Sequence, residues 1–267
     1  MKIALLQAAA TPLDPAANLA ALREAAATAR AAGAELILTP ELFLSGYAPR
    51  ELAEWLTPER VVGIPDATAA IARDAGIAVA ASFPLARADG TFAIAAELWD
   101  ASGASVLRYE KVHLWGELEP LAFTPSTSAP AVAAWNGRSV GFQICYDIEF
   151  PEPARALAAR GVDLLLVPTA IDGHSAYVPE LLIRARAAEN ALVVAYADHA
   201  GQAEPSADPA ADFTGLSTVA GREGRVLAVA GRTAELLLAE LPDVTPVAAG
   251  EANYLRDRRP DVYASWA

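Results

Sequence analysis

Gly141-Phe-Gln-Ile-Cys145-Tyr-Asp-Ile-Glu-Phe-Pro-Glu152 contains the one cysteine in 267 residues, and its reading decides the fold. An apolar, strand-like segment, Ser139 to Ile144, leads into it. Pro151 and an alanine-rich helical pattern, Ala154 to Ala159, follow. Cys145 is therefore predicted where a strand gives way to a turn and then a helix. In open α/β sheets, ligands bind outside the carboxyl ends of strands. A partly exposed thiol is expected there, beside main-chain N–H groups able to bind an anion. Most lone cysteines are small buried apolar side chains. Position alone does not make Cys145 a nucleophile; other stretches must converge on it.

Upstream, Ile3 to Leu6 is a short apolar run that predicts a buried strand. Asn18 to Ala32 has apolar residues at helical spacing and Gly33 as its stop. Glu35 to Thr39 is a second buried strand, ended by Pro40, so Glu41 sits just past its carboxyl end. A helix lies between Pro65 and Gly76, followed by a strand from Ile77 to Ser82. Asp89-Gly90 turns the chain into Thr91 to Leu98, and Ala101-Ser-Gly103 returns it through Ser105 to Tyr109. That last strand delivers Glu110-Lys111-Val-His-Leu-Trp115. Asn136-Gly137 predicts a hairpin joining Ala131–Trp135 to the cysteine strand.

Downstream, Asp163 to Val167 is a strand ending in Pro168-Thr-Ala170, Pro179 to Asn190 is helical, and Leu192 to Ala197 is a strand. The polar stretch 198–212 reads as the mobile segment of the chain. Leu216–Val219, Arg225–Val229 and Glu235–Ala239 are late strands. The aromatic stretch Tyr254–Tyr263, within a tail from 250 to 267, is expected to pack on a neighbouring subunit. Strands and helices alternate without a linker or a fixed-period repeat, which predicts an α/β fold in a single domain over 1–267.

Composition narrows the function. A net charge of −13 repels phosphate backbones, so nucleic-acid partners are not expected. Hydrophobic content of 54% suits a large core, yet no apolar run approaches the roughly 18 residues of a membrane span. One cysteine excludes an intrachain disulfide, and three scattered histidines, His113, His174 and His199, lack the short spacings of a zinc site. The start, Met1 to Ala10, faintly mimics a signal peptide. Its apolar core is too short and Gln7 interrupts it, so a cytoplasmic protein is expected.

Three stretches then combine: Pro40-Glu41-Leu, Glu110-Lys111-Val-His-Leu, and Ile144-Cys145-Tyr-Asp with Phe150-Pro-Glu152. Together with Val167-Pro-Thr-Ala170, the Arg184–Asn190 helix, Gly215-Leu-Ser217 to Gly224, and Arg258-Arg-Pro-Asp261, they resemble the nitrilase superfamily of carbon–nitrogen hydrolases over nearly the whole chain. The resemblance implies a four-layer α-β-β-α sandwich, assembled as a homodimer or higher oligomer. It also implies a Glu41–Lys111–Cys145 triad and no metal or organic cofactor. A second family glutamate falls on Glu119, four before Phe123, with Glu117 as the other candidate. Thr169 and Ala170 fall at the substrate site.

The residue types suit acyl transfer. A thiol of pKa about 8.5 is mostly protonated at neutral pH and needs a base, here Glu41. Lys111 and the Tyr146 main-chain N–H would hold the oxyanion, and Glu119 would keep Lys111 charged or orient the substrate. A Cys–His pair is the rival; on a strand His113 would share a face with Lys111, and a supporting hydrogen-bond role is expected for it. Tyr146 after the nucleophile, where family nitrilases have Trp, resembles the amidase and carbamoylase branches. Asp147-Ile-Glu149 lacks the carboxylate-holding arginines of carbamoyl-amino-acid hydrolases, so like charge disfavours an anionic substrate. A small neutral amide is expected, with Phe43, Tyr47, Trp115, Tyr146 and Tyr177 as pocket-wall candidates. An N-carbamoyl-amine hydrolase, a nitrilase, a redox-sensing thiol and a non-catalytic scaffold are the alternatives.

Overall fold

The structure, a computed structural model, describes residues 1–201, 212–244 and 253–266. The described strands are β1 (Lys2–Gln7), β2 (Leu36–Leu38), β3 (Ala78–Ala86), β4 (Phe92–Trp99), β5 (Ser105–Glu110), β6 (Ala133–Trp135), β7 (Arg138–Phe142), β8 (Leu164–Pro168), β9 (Val193–Ala197), β10 (Thr218–Ala220), β11 (Val226–Val229) and β12 (Glu235–Glu240). They form two six-stranded sheets, in the orders β12-β1-β2-β3-β4-β5 and β11-β10-β9-β8-β7-β6. β1, β2 and β3 run parallel in the first sheet, as do β7, β8 and β9 in the second. Both inner strand sets are buried on two faces, which is why they read as unbroken apolar runs.

Strand alternation sorts the side chains into layers. Ile3, Leu5, Leu36, Leu38 and Ala80 face the second sheet and share one core with Phe142, Leu164 and Leu166. Ala4, Leu6, Ile37, Val79 and Ala81 point the other way. They meet Leu22, Ala26 and Ala29 of α1 (Pro15–Ala31); three further helices follow, α2 (Pro49–Trp55), α3 (Pro58–Val61) and α4 (Ile64–Ala75), and α4 adds Ile71 and Ala72 to that layer. After α5 (Glu119–Ala122), helices α6 (Pro151–Ala159) and α7 (Ile183–Asn190) cover the second sheet, and α8 (Pro260–Tyr263) closes the described chain. The result is the expected four-layer α-β-β-α sandwich.

Gln7, which breaks the apolar start of the sequence, is fully buried. Its Nε2 donates to the carbonyls of Gly231 and Thr233 at 2.8 and 2.6 Å, and its Oε1 accepts from Ser217 N at 2.9 Å. It thereby ties β1 to the residue before β10 and to the turn between β11 and β12. Gly215, at φ +64°, passes so close that an added Cβ would meet the Arg232 main chain at 2.9 Å.

The short helices α2, α3 and α5 were not legible as periodic patterns. The helix expected from Pro179 begins instead as a π-turn, Val178–Leu182. The strand expected at Leu216–Val219 starts two residues later, because Leu216 takes a left-handed φ of +52° that no extended strand accommodates. Most of the expected 198–212 loop, and residues 250–252 and 267 of the expected tail, lie outside the described residues. Tyr254 and Trp266 of the tail are exposed in the single chain. Among the described residues no helix is long and apolar enough to cross a membrane.

Candidate active site

Each candidate group leaves the carboxyl end of a strand. Glu41 follows β2, Lys111 follows β5, and Cys145 follows β7. The two sheets meet at this rim: Glu41 N donates to the Thr169 carbonyl beyond β8 at 3.1 Å, and the Glu41 carbonyl lies 2.7 Å from His199 Nε2 beyond β9.

The Lys111 ammonium is completely buried between two carboxylates. Its Nζ lies 2.8 Å from Glu41 Oε1 and 2.8 and 2.9 Å from the two oxygens of Glu119. Burial alone would push Lys111 down, but Glu41 and Glu119 outweigh it and hold it above its ordinary value. Glu119, not the exposed Glu117, occupies this place. It sits in the first turn of α5, and its Oε2 also accepts from Trp115 N at 2.8 Å. The Tyr47 hydroxyl donates to Glu119 Oε1 at 2.8 Å. Tyr47 therefore fixes the second glutamate.

Cys145 is only 3% exposed, less than its loop position led one to expect. Its φ of +49° is left-handed, a conformation that costs a non-glycine residue roughly 1–2 kcal/mol. Burial raises its thiol pKa, and the Glu41 carboxylate adds to the effect, so the resting sulfur keeps its proton. That thiol faces the Ala170 carbonyl at 3.8 Å. Glu41 and Cys145 are near enough to perturb one another, yet Glu41 Oε2 is buried without a hydrogen-bond partner among the described residues. Turning the S–H from Ala170 toward Oε2 would complete the proton path; such contacts tighten when substrate binds. Glu41 itself is raised to about 8, first by burial and then by Glu119, against the pull of Lys111. One ammonium neutralises one of two carboxylates, and burial leaves the spare proton on Glu41.

Asp147, read from the sequence only as a like charge in Asp147-Ile-Glu149, holds this turn. It is fully buried. Oδ2 accepts from the Tyr109 hydroxyl at 2.8 Å and Ile144 N at 3.1 Å; Oδ1 accepts from His113 N at 2.9 Å and lies 2.7 Å from His113 Nδ1. One carboxylate thus clamps the cysteine turn to the lysine segment. This corrects two expectations. Asp147 is not a charge facing the substrate. His113 does not share a strand face with Lys111, because β5 ends at Glu110 and the imidazole turns to Asp147. Asp147→Ala would strand a buried hydroxyl and two main-chain N–H groups. It is expected to lower unfolding free energy by about 3–5 kcal/mol, measured by urea titration.

The remaining wall candidates divide. Thr169 and Ala170 lie beside the thiol, Thr169 also contacting the Tyr196 hydroxyl at 3.3 Å. Tyr146 packs edge-on against Phe150 at 4.9 Å. Trp115 and Tyr177 are about half exposed, at 47% and 49%. Phe43 is not a wall: it is fully buried in the outer core and stacks on His199 at 6.1 Å. The chain leaves strand geometry at Pro40, so alternation no longer tells which way Phe43 points. His199 was also missed. Burial holds it neutral, its pKa lowered to about 4, and it braces the Glu41 main chain. Its partner is 158 residues away, so no local spacing signals it. Among the described residues, no group of three or more His, Cys, Asp and Glu side chains is placed to hold a metal ion.

Comparison with known proteins agrees with this layout. The Carbon-nitrogen hydrolase family pattern matches residues 2–248. A hydrolase from the region 5′ of pqqF in Pseudomonas protegens is 39% identical, over 98% of this chain and 90% of that protein. An (R)-stereoselective amidase of Pseudomonas sp. is 34% identical, over 97% of this chain and 92% of that one. Among solved structures, an amidase from Nesterenkonia sp. is 42% identical and superposes with a TM-score of 0.91, covering 100% of both chains. Its E41Q variant carries acrylamide joined by Michael addition to the active-site cysteine, and its C145A variant was solved with butyramide. With the family pattern spanning almost its whole length, the chain belongs to the carbon–nitrogen hydrolases of the nitrilase superfamily.

Proposed function

We propose that this protein is a cofactor-free amidase that converts small neutral amides to the acid and ammonia through a thioester on Cys145. The observation that carries the reading is a buried Lys111 held by Glu41 and Glu119 beside the Cys145 thiol. The Nesterenkonia amidase supports it: its engineered positions are numbered 41 and 145, where this chain has Glu41 and Cys145.

In the proposed cycle, Glu41 in its carboxylate form takes the thiol proton as sulfur attacks the amide carbon. The oxyanion forms against Lys111 and the Tyr146 N–H; losing one such donor costs about 3–4 kcal/mol of barrier. Glu41 returns the proton to nitrogen, the C–N bond breaks, and ammonia leaves. Water, deprotonated by Glu41, attacks the thioester; the C–S bond breaks, and the proton returns to sulfur with release of the acid. Glu119 keeps Lys111 charged and in place, with Tyr47 holding Glu119. Tyr146, Trp115, Tyr177, Thr169 and Ala170 line the approach.

Ammonia release from aliphatic amides, nitriles and N-carbamoyl amines tests the reading. Ammonia without carbon dioxide from an amide is the expected result; turnover of nitriles or carbamoyl compounds alone would replace it. A pH profile adds a second test. Glu41 must be unprotonated to act as base, so kcat/KM should rise with pH, along a limb displaced well above 4.5 toward about 8. Glu119→Gln removes a like charge and should move that limb to lower pH. A limb at an ordinary carboxylate position, unmoved in the variant, would exclude Glu41 as the base.

The single-domain organisation over 1–267, a homodimer or larger assembly packed through the tail, and a cytoplasmic location belong to the same proposal. The exposed aromatic residues Tyr254, Tyr263 and Trp266 favour the assembly.

A further inference from the structure

Glu149 lies four residues after Cys145 on the same turn, and the cycle above gives it no task. Its carboxylate is half-buried, and Oε2 accepts from the Tyr177 hydroxyl at 3.1 Å. Among the described residues no lysine or arginine reaches it. The nearby Arg186 is already committed: it donates to the carbonyls of Ile148 and Glu149 at 2.9 and 2.7 Å and to Glu189 Oε1 at 3.0 Å. Glu149 nevertheless ends the short helical turn that Cys145 begins, which keeps it near the reaction centre. Tyr177 touches it, and further aromatic side chains belong to the same turn. Tyr177 is half exposed and close to Tyr146, and Tyr146 meets Phe150, which stacks on His113 at 4.3 Å. Tyr177 immediately precedes the π-turn Val178–Leu182, a distortion frequent at functional sites.

A half-desolvated carboxylate with one neutral donor is short of a cation. The Tyr177 ring that carries the donor, and Tyr146 on the same turn as Glu149, offer a cation π-electron density as well. An anionic group in the same place would meet Glu149 directly, with Lys111 spent on two glutamates and Arg186 on carbonyls and Glu189. We infer that Glu149, flanked by Tyr146 and Tyr177, is a specificity-determining residue that selects amides whose far end carries an ammonium group over amides ending in a carboxylate. The inference rests on the amidase reading and names the charge class that its substrates carry beyond the reacting carbonyl.

Three amides of matched length test it: 4-aminobutanamide, valeramide and glutaramate. In the wild-type enzyme kcat/KM should favour 4-aminobutanamide over glutaramate by at least about 100-fold, because like charges juxtaposed in a site cost several kcal/mol. Glu149→Gln keeps the shape and removes the charge, and should shrink that ratio by about tenfold or more, through KM. Tyr177→Phe removes the hydroxyl and keeps the charge, and should retain the cation preference. Ratios between substrates cancel any shared loss from a poorly folded variant. A wild-type enzyme indifferent to charge, a ratio unchanged in Glu149→Gln, or an equal collapse in Tyr177→Phe would overturn the inference while valeramide turnover left the amidase reading standing. Failure to hydrolyse any of the three would remove both.

Discussion

Cys145→Ala should hydrolyse no amide at a measurable rate, a loss of at least about 10⁵-fold in kcat, as when a nucleophile acting as one unit with its base is removed. The substitution removes one buried sulfur whose recorded polar contact is a 3.8 Å approach to the Ala170 carbonyl. Such a change leaves a small cavity and costs on the order of 1 kcal/mol, or about 2–4 °C in Tm for a domain of this size. Calorimetry beside an ammonia assay separates a lost nucleophile from a lost fold. A folded Cys145→Ala enzyme that still released ammonia would end the thioester route, whatever the geometry around Lys111.

Glu41→Gln is the second large effect, and its pattern differs. Glutamine neither takes the thiol proton nor returns it to the leaving nitrogen, so hydrolysis should fall by about 10³–10⁴-fold, with little thioester accumulating. Alkylation of Cys145 by iodoacetamide should persist, since iodide leaves without a proton and Lys111 stays beside the sulfur. Mass spectrometry of the modified chain reads this directly. Equal loss of alkylation and hydrolysis would mean that the carboxylate shapes the pocket instead of moving protons. Stability adds a signed check. Folding raises the Glu41 pKa to about 8, so the folded chain holds a proton that the unfolded chain releases above about 4.5. Wild-type stability is therefore drained between those pH values, and the glutamine variant should lose less across the same interval.

The fold was legible because its inner strands are short apolar runs closed by proline or glycine, as in Glu35–Pro40 and Asp163–Pro168, with helices capped at Gly33 and Gly76. Glu41, Lys111 and Cys145 were legible for the same reason, each standing immediately beyond such a run. What escaped the sequence depends on long-range closure. Asp147 looks like one more acid after the cysteine until Tyr109 and His113 are found on its two oxygens. His199 matters only because the sandwich brings it to the Glu41 carbonyl. Phe43 looked like a pocket wall because nothing in Pro40-Glu41-Leu-Phe announces that Leu42 adopts a φ of +49°, which turns the next ring into the core. Glu119 was favoured over Glu117 by its place four before Phe123, and the turn of α5 carries it to Lys111.

Cys145 rides on one sheet, while Glu41 and Lys111 ride on the other. A nascent polypeptide therefore carries an ordinary, unreactive thiol until the two halves of the sandwich have closed on each other. Regain of enzymatic turnover during refolding should be a late event, lagging the return of secondary structure, and would serve as a clock for the joining of the halves.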